Sequence, residues 1–315
     1  MSVRLFASTL CALLALWVPP LQALAQDCPP VAAPPTPEQL QQGQAKARDR
    51  GALWKLKKDG RTSYLYGTAH VGQLDWIFPG PNLRQALRET EVLAVEVDVT
   101  APDTQREMAE AQRSAAPLPL SAEEQQRLDT QAKAACVPTQ ALAHLHPVMQ
   151  AVTYVALSGR RAGLDPAFGQ EMALLGAARS LQRPIVALET IGLQMSVLLP
   201  KEEAKARRML HMTLEGLEKG ESPRTLERLG KAWVEGDLAL LGDIETLCQC
   251  KPSEEERAFH KMLNDDRNPH LARRIAEEHG KGKPVLAAVG LLHMSGPQAL
   301  PGLLKAQGFE VERLH

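Results

Sequence analysis

Two histidines in the sequence each end a Gly-x-x-His motif that directly follows an apolar, strand-like run. One motif extends from Gly67 to His70, and the other from Gly290 to His293. An imidazole binds metal ions or transfers protons near neutral pH. Glycine at such a turn allows a positive φ or a close approach of the backbone to a ligand. His70 and His293 are therefore candidate metal ligands or acid–base groups, with Gly67 and Gly290 as the turn glycines.

Acidic residues follow two further apolar runs. Glu96 ends the run that begins at Val92, Glu189 follows the run 184–188, and Asp98 would share a face with Glu96. In parallel α/β sheets, ligands bind at the carboxyl ends of the strands. Two histidines with carboxylates suit Mn, Co, Fe or Zn, and they also suffice for general acid–base chemistry without a metal.

A structural role is the alternative for each residue taken singly. A histidine after a strand often makes only a structural hydrogen bond, and an acidic residue there often caps the next helix. The recurrence of Gly-x-x-His after two strands favours a shared site, because both motifs stand in the same context. This interpretation requires His70 and His293 to be neighbours in the fold.

The predicted elements that would position these residues alternate between strands and helices. A hairpin over residues 53–66 turns at Asp59-Gly60. The remaining predictions are a helix over 82–91, strands over 92–97, 184–188, 284–289 and 309–313, and helices over 121–135, 139–159, 168–182, 201–219, 223–235, 253–263, 269–280 and 297–307. We predict an α/β fold for residues 51–315, with a mostly parallel central sheet flanked by helices and a large helical insertion over about residues 101–265.

The first 25 residues have the pattern of a cleaved secretory signal peptide. Arg4 precedes the apolar run 10–18, and Ala23-Leu24-Ala25 is a small-x-small cleavage pattern. The run is too short for a spanning helix, so we expect no stable membrane insertion after cleavage and a periplasmic or secreted location. Residues 26–50 are rich in Pro, Ala and Gln and are predicted to be a flexible lead-in. A net charge of -1 with interspersed signs argues against a nucleic-acid partner.

Four cysteines follow the predicted signal peptide, namely Cys28, Cys136, Cys248 and Cys250. An even number in an exported protein favours disulfides. We expect Cys248 and Cys250 to pair with Cys28 and Cys136, in one of two arrangements, because cysteines two residues apart pair poorly. A Cys-x-Cys metal site is the alternative.

Taken in order, the motifs resemble the TraB/GumN family, which is related to the Tiki proteins. The resemblance spans roughly residues 51–313 and rests on Leu53-Trp54, residues 64–72, Glu96-Val97-Asp98, Leu188-Glu189-Thr190 with Gln194, Arg267-Asn268, residues 288–297 and residues 308–311. Tiki members are regarded as divalent-metal-dependent peptidases. The resemblance implies a site in which His70 and His293 bind metal or act as acid–base groups, beside the carboxylates of Glu96 and Glu189.

The same resemblance implies roles for two more residues. Arg267 would clamp an anionic substrate group or stabilise developing negative charge, and Asn268 would orient one of the other groups. The sequence thus predicts a periplasmic hydrolase of peptide or amide bonds that uses Mn, Co or Zn and acts on a peptide or small envelope substrate. The alternative is a non-catalytic ligand-binding or modulating envelope protein that uses the same pocket. In a third interpretation, both Gly-x-x-His turns are structural.

Overall fold

The computed structural model describes residues 28–315, so the predicted signal peptide lies outside the described residues. Its strands are β1 Ala52–Lys58, β2 Arg61–Thr68, β3 Val92–Val95, β4 Ile185–Ala187, β5 Val285–Gly290 and β6 Glu310–Arg313. Its helices are α1 Pro37–Ala45, α2 Pro81–Glu89, α3 Pro102–Ser114, α4 Ala122–Ala134, α5 Pro147–Ser158, α6 Gln170–Ser180, α7 Ile191–Leu198, α8 Glu203–Glu218, α9 Glu221–Glu235, α10 Leu238–Leu241, α11 Ile244–Cys248, α12 Glu254–Leu263, α13 Asn268–Gly280 and α14 Leu300–Ala306.

The strands form one mixed sheet in the order β4-β3-β5-β2-β1-β6. β5 pairs in parallel with both β2 and β3, and β3 pairs in parallel with β4. β1 pairs antiparallel with β2 and with β6. The predicted α/β class with a mostly parallel sheet is therefore confirmed.

The β1–β2 hairpin forms because its turn residues suit the twist of the strands. Asp59 and Gly60 have φ values of 50° and 72°, the two positive values that a tight two-residue hairpin turn requires. The register pairs Lys58 with Arg61 on either side of the turn. This hairpin brings β2 beside β5, where Thr68 lies opposite Gly290.

The middle of the chain is helical, as expected, and has a core of its own. Leu128, Val148, Met195 and Leu210 belong to a cluster of buried side chains contributed by α4, α5, α7 and α8. The helix expected from residue 139 begins only at Pro147, and His146 caps its N-terminus. Helices α3, α7, α10 and α11 were not predicted from the sequence.

A helix also lies inside the proline-rich lead-in. None of the residues of α1 is buried, so no apolar face specifies it. Thr36 instead accepts a hydrogen bond from the Gln39 backbone N–H while the Gln39 side chain accepts one from the Thr36 backbone N–H. This reciprocal capping explains how a segment without apolar periodicity forms a helix.

The disulfides differ from both arrangements that we expected. Cys28 pairs with Cys136, and Cys248 pairs with Cys250. The prediction of bridges between the two pairs was wrong because Gln249 adopts φ 53° and ψ 40°. This left-handed conformation brings the Cα atoms of its two neighbours to 5.2 Å, within the range that a disulfide spans.

Over residues 28–315, no helix has the length and apolar character needed to cross a membrane.

Candidate functional site

The carboxyl ends of β2, β3 and β5 open onto a cleft of about 400 Å³. His70 lies just beyond β2, Glu96 just beyond β3 and His293 just beyond β5. All three line the cleft together with Arg267. The parallel pairing of β5 with both neighbours brings these strand ends to the same edge of the sheet.

The three side chains converge on the backbone of Gly290. A Cβ atom at this position would lie 3.1 Å from Glu96 Oε1, 3.4 Å from His70 Nε2 and 3.7 Å from His293 Cδ2. Gly290 has a φ of -49°, so close approach rather than an unusual backbone angle accounts for the glycine. At Gly67, a Cβ would overlap the side chain of Leu291. Both turn glycines therefore make room for their neighbours.

Glu171, at the start of α6, holds His70. His70 Nδ1 lies 3.0 Å from Glu171 Oε1, and the same carboxylate accepts a hydrogen bond from the Thr68 hydroxyl. The negative charge of Glu171 raises the pKa of His70 to about 9, against the opposing effect of desolvation. Burial alone would raise the pKa of Glu171, but His70 lowers it overall. The His70 side chain remains 72% exposed, and its Nε2 is turned toward the cleft.

Asn268 holds His293 in a similar way. The Asn268 amide N–H₂ donates to the carbonyl oxygens of His293 and Gln298, at 3.1 and 2.8 Å. This orientation directs Asn268 Oδ1 at His293 Nδ1, 2.5 Å away, so Nδ1 carries the proton. Nε2 of His293 is left with its lone pair. Burial lowers the pKa of His293, which favours this neutral form.

Arg267 joins the two predicted carboxylates. Its Nη2 contacts Glu96 Oε2 at 2.5 Å and also contacts Glu189, while its Nε lies 3.0 Å from Glu189 Oε1. Its Nη1 donates to the Leu263 carbonyl oxygen at 2.9 Å. Burial alone would lower the pKa of Arg267, but the hydrogen bonds and charges of both carboxylates raise it. All three nitrogens of the guanidinium are therefore used within the protein.

Glu96 is held as an anion in this cluster. Burial opposes its ionisation, yet His293, Arg267 and His70 together with the Gly290 N–H lower its pKa to about 2. The Gly290 N–H donates to Glu96 Oε1 at 2.7 Å, and His293 Nε2 lies 3.8 Å from the same oxygen. The amide of Gln194 donates to both Glu96 and Glu189 at 3.3 Å.

Asp98 does not join the cluster, although we expected it on the same face as Glu96. Its carboxylate pairs with Arg179 at 2.7 Å and accepts a hydrogen bond from the Thr100 hydroxyl. The chain leaves the sheet after Val95, so the alternation of a strand no longer applies at Asp98.

Two further cleft residues were not singled out from the sequence. Glu171 sits in the first turn of a helix, where acidic residues are common, so nothing local marks it as functional. His260 lines the cleft from α12 with Nε2 buried and without a hydrogen-bond partner among the described residues. His260 and Leu263 lie three residues apart on α12, and both line the cleft.

The donor atoms suit a divalent ion in type. His70 and His293 each have Nδ1 held by an oxygen, the arrangement that orients metal-binding imidazoles, and Glu96 supplies a carboxylate beside them. Within residues 28–315, no group of three or more His, Cys, Asp or Glu side chains has the spacing of a formed metal site. The residue types thus suit a metal centre, but their side chains do not have the spacing of a formed one.

Comparison with known proteins gives one family and one relative. The family model described as TraB/PrgY/gumN family matches residues 52–313. A protein of Shigella flexneri named "Uncharacterized protein YbaP" is 26% identical over 251 residues, which cover 78% of this chain and 88% of that protein. No solved structure matches.

Proposed function

Because the chain belongs to the TraB/PrgY/gumN family, we propose that it is a hydrolase of peptide or other amide bonds that acts in the cleft at the carboxyl edge of the sheet. The observation that carries this proposal is the convergence of His70, His293 and Glu96 on Gly290. Each imidazole is tethered through Nδ1, so each has Nε2 left for chemistry. A pair of oriented imidazoles beside a carboxylate is suited to moving the protons of a hydrolysis.

A divalent cofactor, Mn, Co or Zn, is part of the proposal. Nε2 of His70, Nε2 of His293 and the carboxylate of Glu96 are the groups that would hold it. When bound, such an ion supplies Lewis acidity and favours ionisation of water. Glu171 and Asn268 would keep the two imidazoles oriented for it, as outer-shell partners do in metal sites.

The side chains also have roles of their own in moving protons. His293 Nε2 is placed to accept a proton from an attacking water, and Glu96, 3.8 Å away, would stabilise the imidazolium that results. His70, on the open side of the cleft, is placed to donate a proton to the leaving amine. Asn268 keeps His293 in the tautomer that this role needs.

In this scheme Arg267 and Glu189 position other groups and do not themselves contact the substrate. Arg267 directs its donors at Glu96, Glu189 and the Leu263 carbonyl, so it positions Glu96 rather than clamping a substrate anion. The Glu189 side chain is fully buried behind Arg267. We therefore assign the proton transfers to the two histidines.

The walls of the cleft indicate the kind of substrate. Apolar side chains from the β3 end and from the helical region line it: Val95, Val97, Val99, Val197, Leu198 and Leu263. Its acidic side chains are paired, Glu96 with Arg267 and Glu171 with His70. A site of this kind favours an uncharged, apolar segment of a peptide over an anionic ligand.

A periplasmic location completes the proposal. Two disulfides fit an oxidising compartment, and residues 1–25 have the pattern of a secretory signal.

Peptide cleavage by the purified protein tests the function. Fluorogenic peptides with apolar residues around the scissile bond are incubated with chelator-treated protein and with protein supplied with Mn, Co or Zn. We expect turnover by wild type and a loss of about 100-fold or more in kcat/KM for His293→Ala, since a general base contributes about that much. His144→Ala, which removes an exposed histidine outside the cleft, is the matched control.

Metal analysis distinguishes the metal-dependent form of the proposal from the metal-free form. Metal bound to wild type and lost from His293→Ala supports the cofactor. Turnover that persists in chelator-treated protein would exclude the metal cofactor from the proposal. The acid–base role of the two histidines would then remain. A ligand that binds stably without being altered, with no turnover under any metal condition, would overturn the hydrolase and favour the non-catalytic binding protein.

A further inference from the structure

The Cys248–Cys250 disulfide lies outside the cleft, at the end of α11. It encloses only Gln249, and both cysteines are half-buried. The next residues, Lys251 and Pro252, lead into α12. The bridge therefore connects no two elements of the fold.

Stabilisation of the fold does not account for this bridge. A disulfide stabilises mainly by restricting the unfolded chain, and the restriction increases with the length of the loop that it closes. Cys28 and Cys136 are 108 residues apart, whereas Cys248 and Cys250 are 2 apart. The first bridge ties the lead-in to the helical region; the second restricts only its own turn.

The backbone enclosed by the bridge favours opening. Gln249 has φ 53°, in the left-handed region that residues other than glycine and asparagine rarely adopt. The Gln249 N–H donates to the Glu245 carbonyl oxygen, so the end of α11 and the disulfide together hold this conformation. Breaking the S–S bond lets Gln249 return to an ordinary backbone conformation.

The surroundings of Cys250 suit a thiolate. Cys250 and Lys251 line the same open groove between α8 and α12. Lys251 follows Cys250 in the chain and forms no ion pair within residues 28–315, whereas Glu215 and Glu255 of the same groove are paired with Lys219 and Arg208. Cys248 instead ends α11, where the backbone carbonyls disfavour negative charge. Cys250 is therefore the better leaving group.

From these observations we propose that Cys248–Cys250 is a thiol–disulfide exchange site that oxidises dithiols at the protein surface, with its leaving sulfur, Cys250, in the groove. A substrate thiolate attacks Cys248 Sγ, a new S–S bond forms, and the Cys248–Cys250 bond breaks with its electron pair on Cys250. The second substrate thiolate then attacks the substrate sulfur of this mixed disulfide and releases Cys248 as a thiolate. Cys248 and Cys250 together gain two electrons, and the two protons lost by the substrate dithiol reach their thiolates through solvent. A disulfide such as oxidised glutathione reoxidises it by the same steps.

Glutathione as the probe tests the first step. The full oxidised protein is equilibrated with reduced and oxidised glutathione, the thiols are trapped by alkylation, and the peptides are identified by mass. We expect Cys248 and Cys250 to be reduced under conditions in which Cys28–Cys136 remains intact. In Cys250→Ser, glutathione should remain attached to Cys248, because the resolving sulfur is absent.

A peptide with two cysteines tests the activity. We expect wild type to oxidise it about tenfold faster than the Cys248→Ser/Cys250→Ser variant, because that variant lacks the disulfide that accepts the two electrons. Cys28→Ser/Cys136→Ser, which keeps the exchange site, should retain the wild-type rate if it folds, as judged by circular dichroism. Equal resistance of both disulfides to glutathione, or equal rates for wild type and Cys248→Ser/Cys250→Ser, would overturn the proposal. Neither result affects the cleft, so this test is independent of the hydrolase proposal.

Discussion

At the scale of single residues, the pairing of His70 with Glu171 sets the properties of the more exposed histidine in the cleft. The carboxylate fixes the position of Nδ1 at 3.0 Å and raises the pKa of His70 to about 9. An uncomplexed His70 is therefore mostly protonated at neutral pH. Removing the charge of Glu171 while keeping its shape isolates this effect.

We predict that Glu171→Gln lowers the pKa of His70 toward its ordinary value of about 6.5. The physical reason is that the charge of Glu171 is the largest of the causes that raise it. NMR titration of the His70 ring in metal-free protein measures the change. Glu218→Gln, which removes a carboxylate paired with Arg127 instead, is the control. An unchanged titration in Glu171→Gln would show that Glu171 does not hold His70 in solution.

The sequence predicts most members of this cluster but not the contacts between their side chains. Gly-x-x-His after two strands was enough to select His70 and His293, because strand ends follow from the apolar pattern. The saturation of Arg267 by Glu96, Glu189 and Leu263 depends on side-chain geometry that spacing does not contain. Glu171 escaped notice because 101 residues separate it from His70.

At the scale of secondary structure elements, α4 shows how a helix start anchors the helical region. Ser121 accepts a hydrogen bond from the Glu124 N–H, and the Glu124 carboxylate accepts one from the Ser121 N–H. The same buried carboxylate contacts Arg207 and His211 of α8 at 2.7 Å. A cap that is visible in the sequence thus also joins two helices, which the sequence does not reveal.

We predict that Glu124 makes stability depend on pH in the acid range. Burial alone would raise its pKa, but the Ser121 N–H, His211 and Arg207 lower it to about 2. A carboxylate with a lowered folded-state pKa stabilises the protein above its unfolded value of about 4.5, and this stabilisation is lost as the pH falls toward 2. Glu124→Gln should therefore be less stable at pH 7, by about 2 kcal/mol, and lose less stability between pH 5 and 2.

Urea unfolding at several pH values checks this prediction. Glu254→Gln, which removes an exposed carboxylate from the first turn of α12, should keep the wild-type pH dependence. Parallel pH curves for wild type and Glu124→Gln would contradict the assignment.

Helices α3 and α7 were missed for different physical reasons. None of the residues of α3 is buried, so its sequence lacks the apolar stripe that indicates an amphipathic helix. α7 contains Ile191, Met195 and Val197 in an apolar run, which reads equally well as a strand. The strands and the C-terminal helices were predicted well because their apolar pattern and their glycine and proline boundaries agree.

At the scale of the whole molecule, one long disulfide connects the chain start to the helical region. Cys28 and Cys136 enclose most of the first half of the chain, including β1, β2 and β3. We predict that Cys28→Ser/Cys136→Ser loses about 5 kcal/mol of stability, whereas Cys248→Ser/Cys250→Ser loses about 1.5 kcal/mol at most, from the lengths of the loops.

Denaturant unfolding of the two variants against wild type measures the difference. Equal losses in the two variants would show that loop closure does not determine the contribution of these disulfides.

The position of β5 has a consequence for how the protein is made. β5 comes from residues 285–290, yet it is the strand that separates β2 from β3 in the sheet. Until those residues leave the ribosome or the export channel, β2 and β3 have no partner between them, and the cleft lacks His293. The nascent chain therefore lacks a finished site. A hydrolase built this way would be inactive during synthesis, because the strand that completes its cleft is among the last segments to be made.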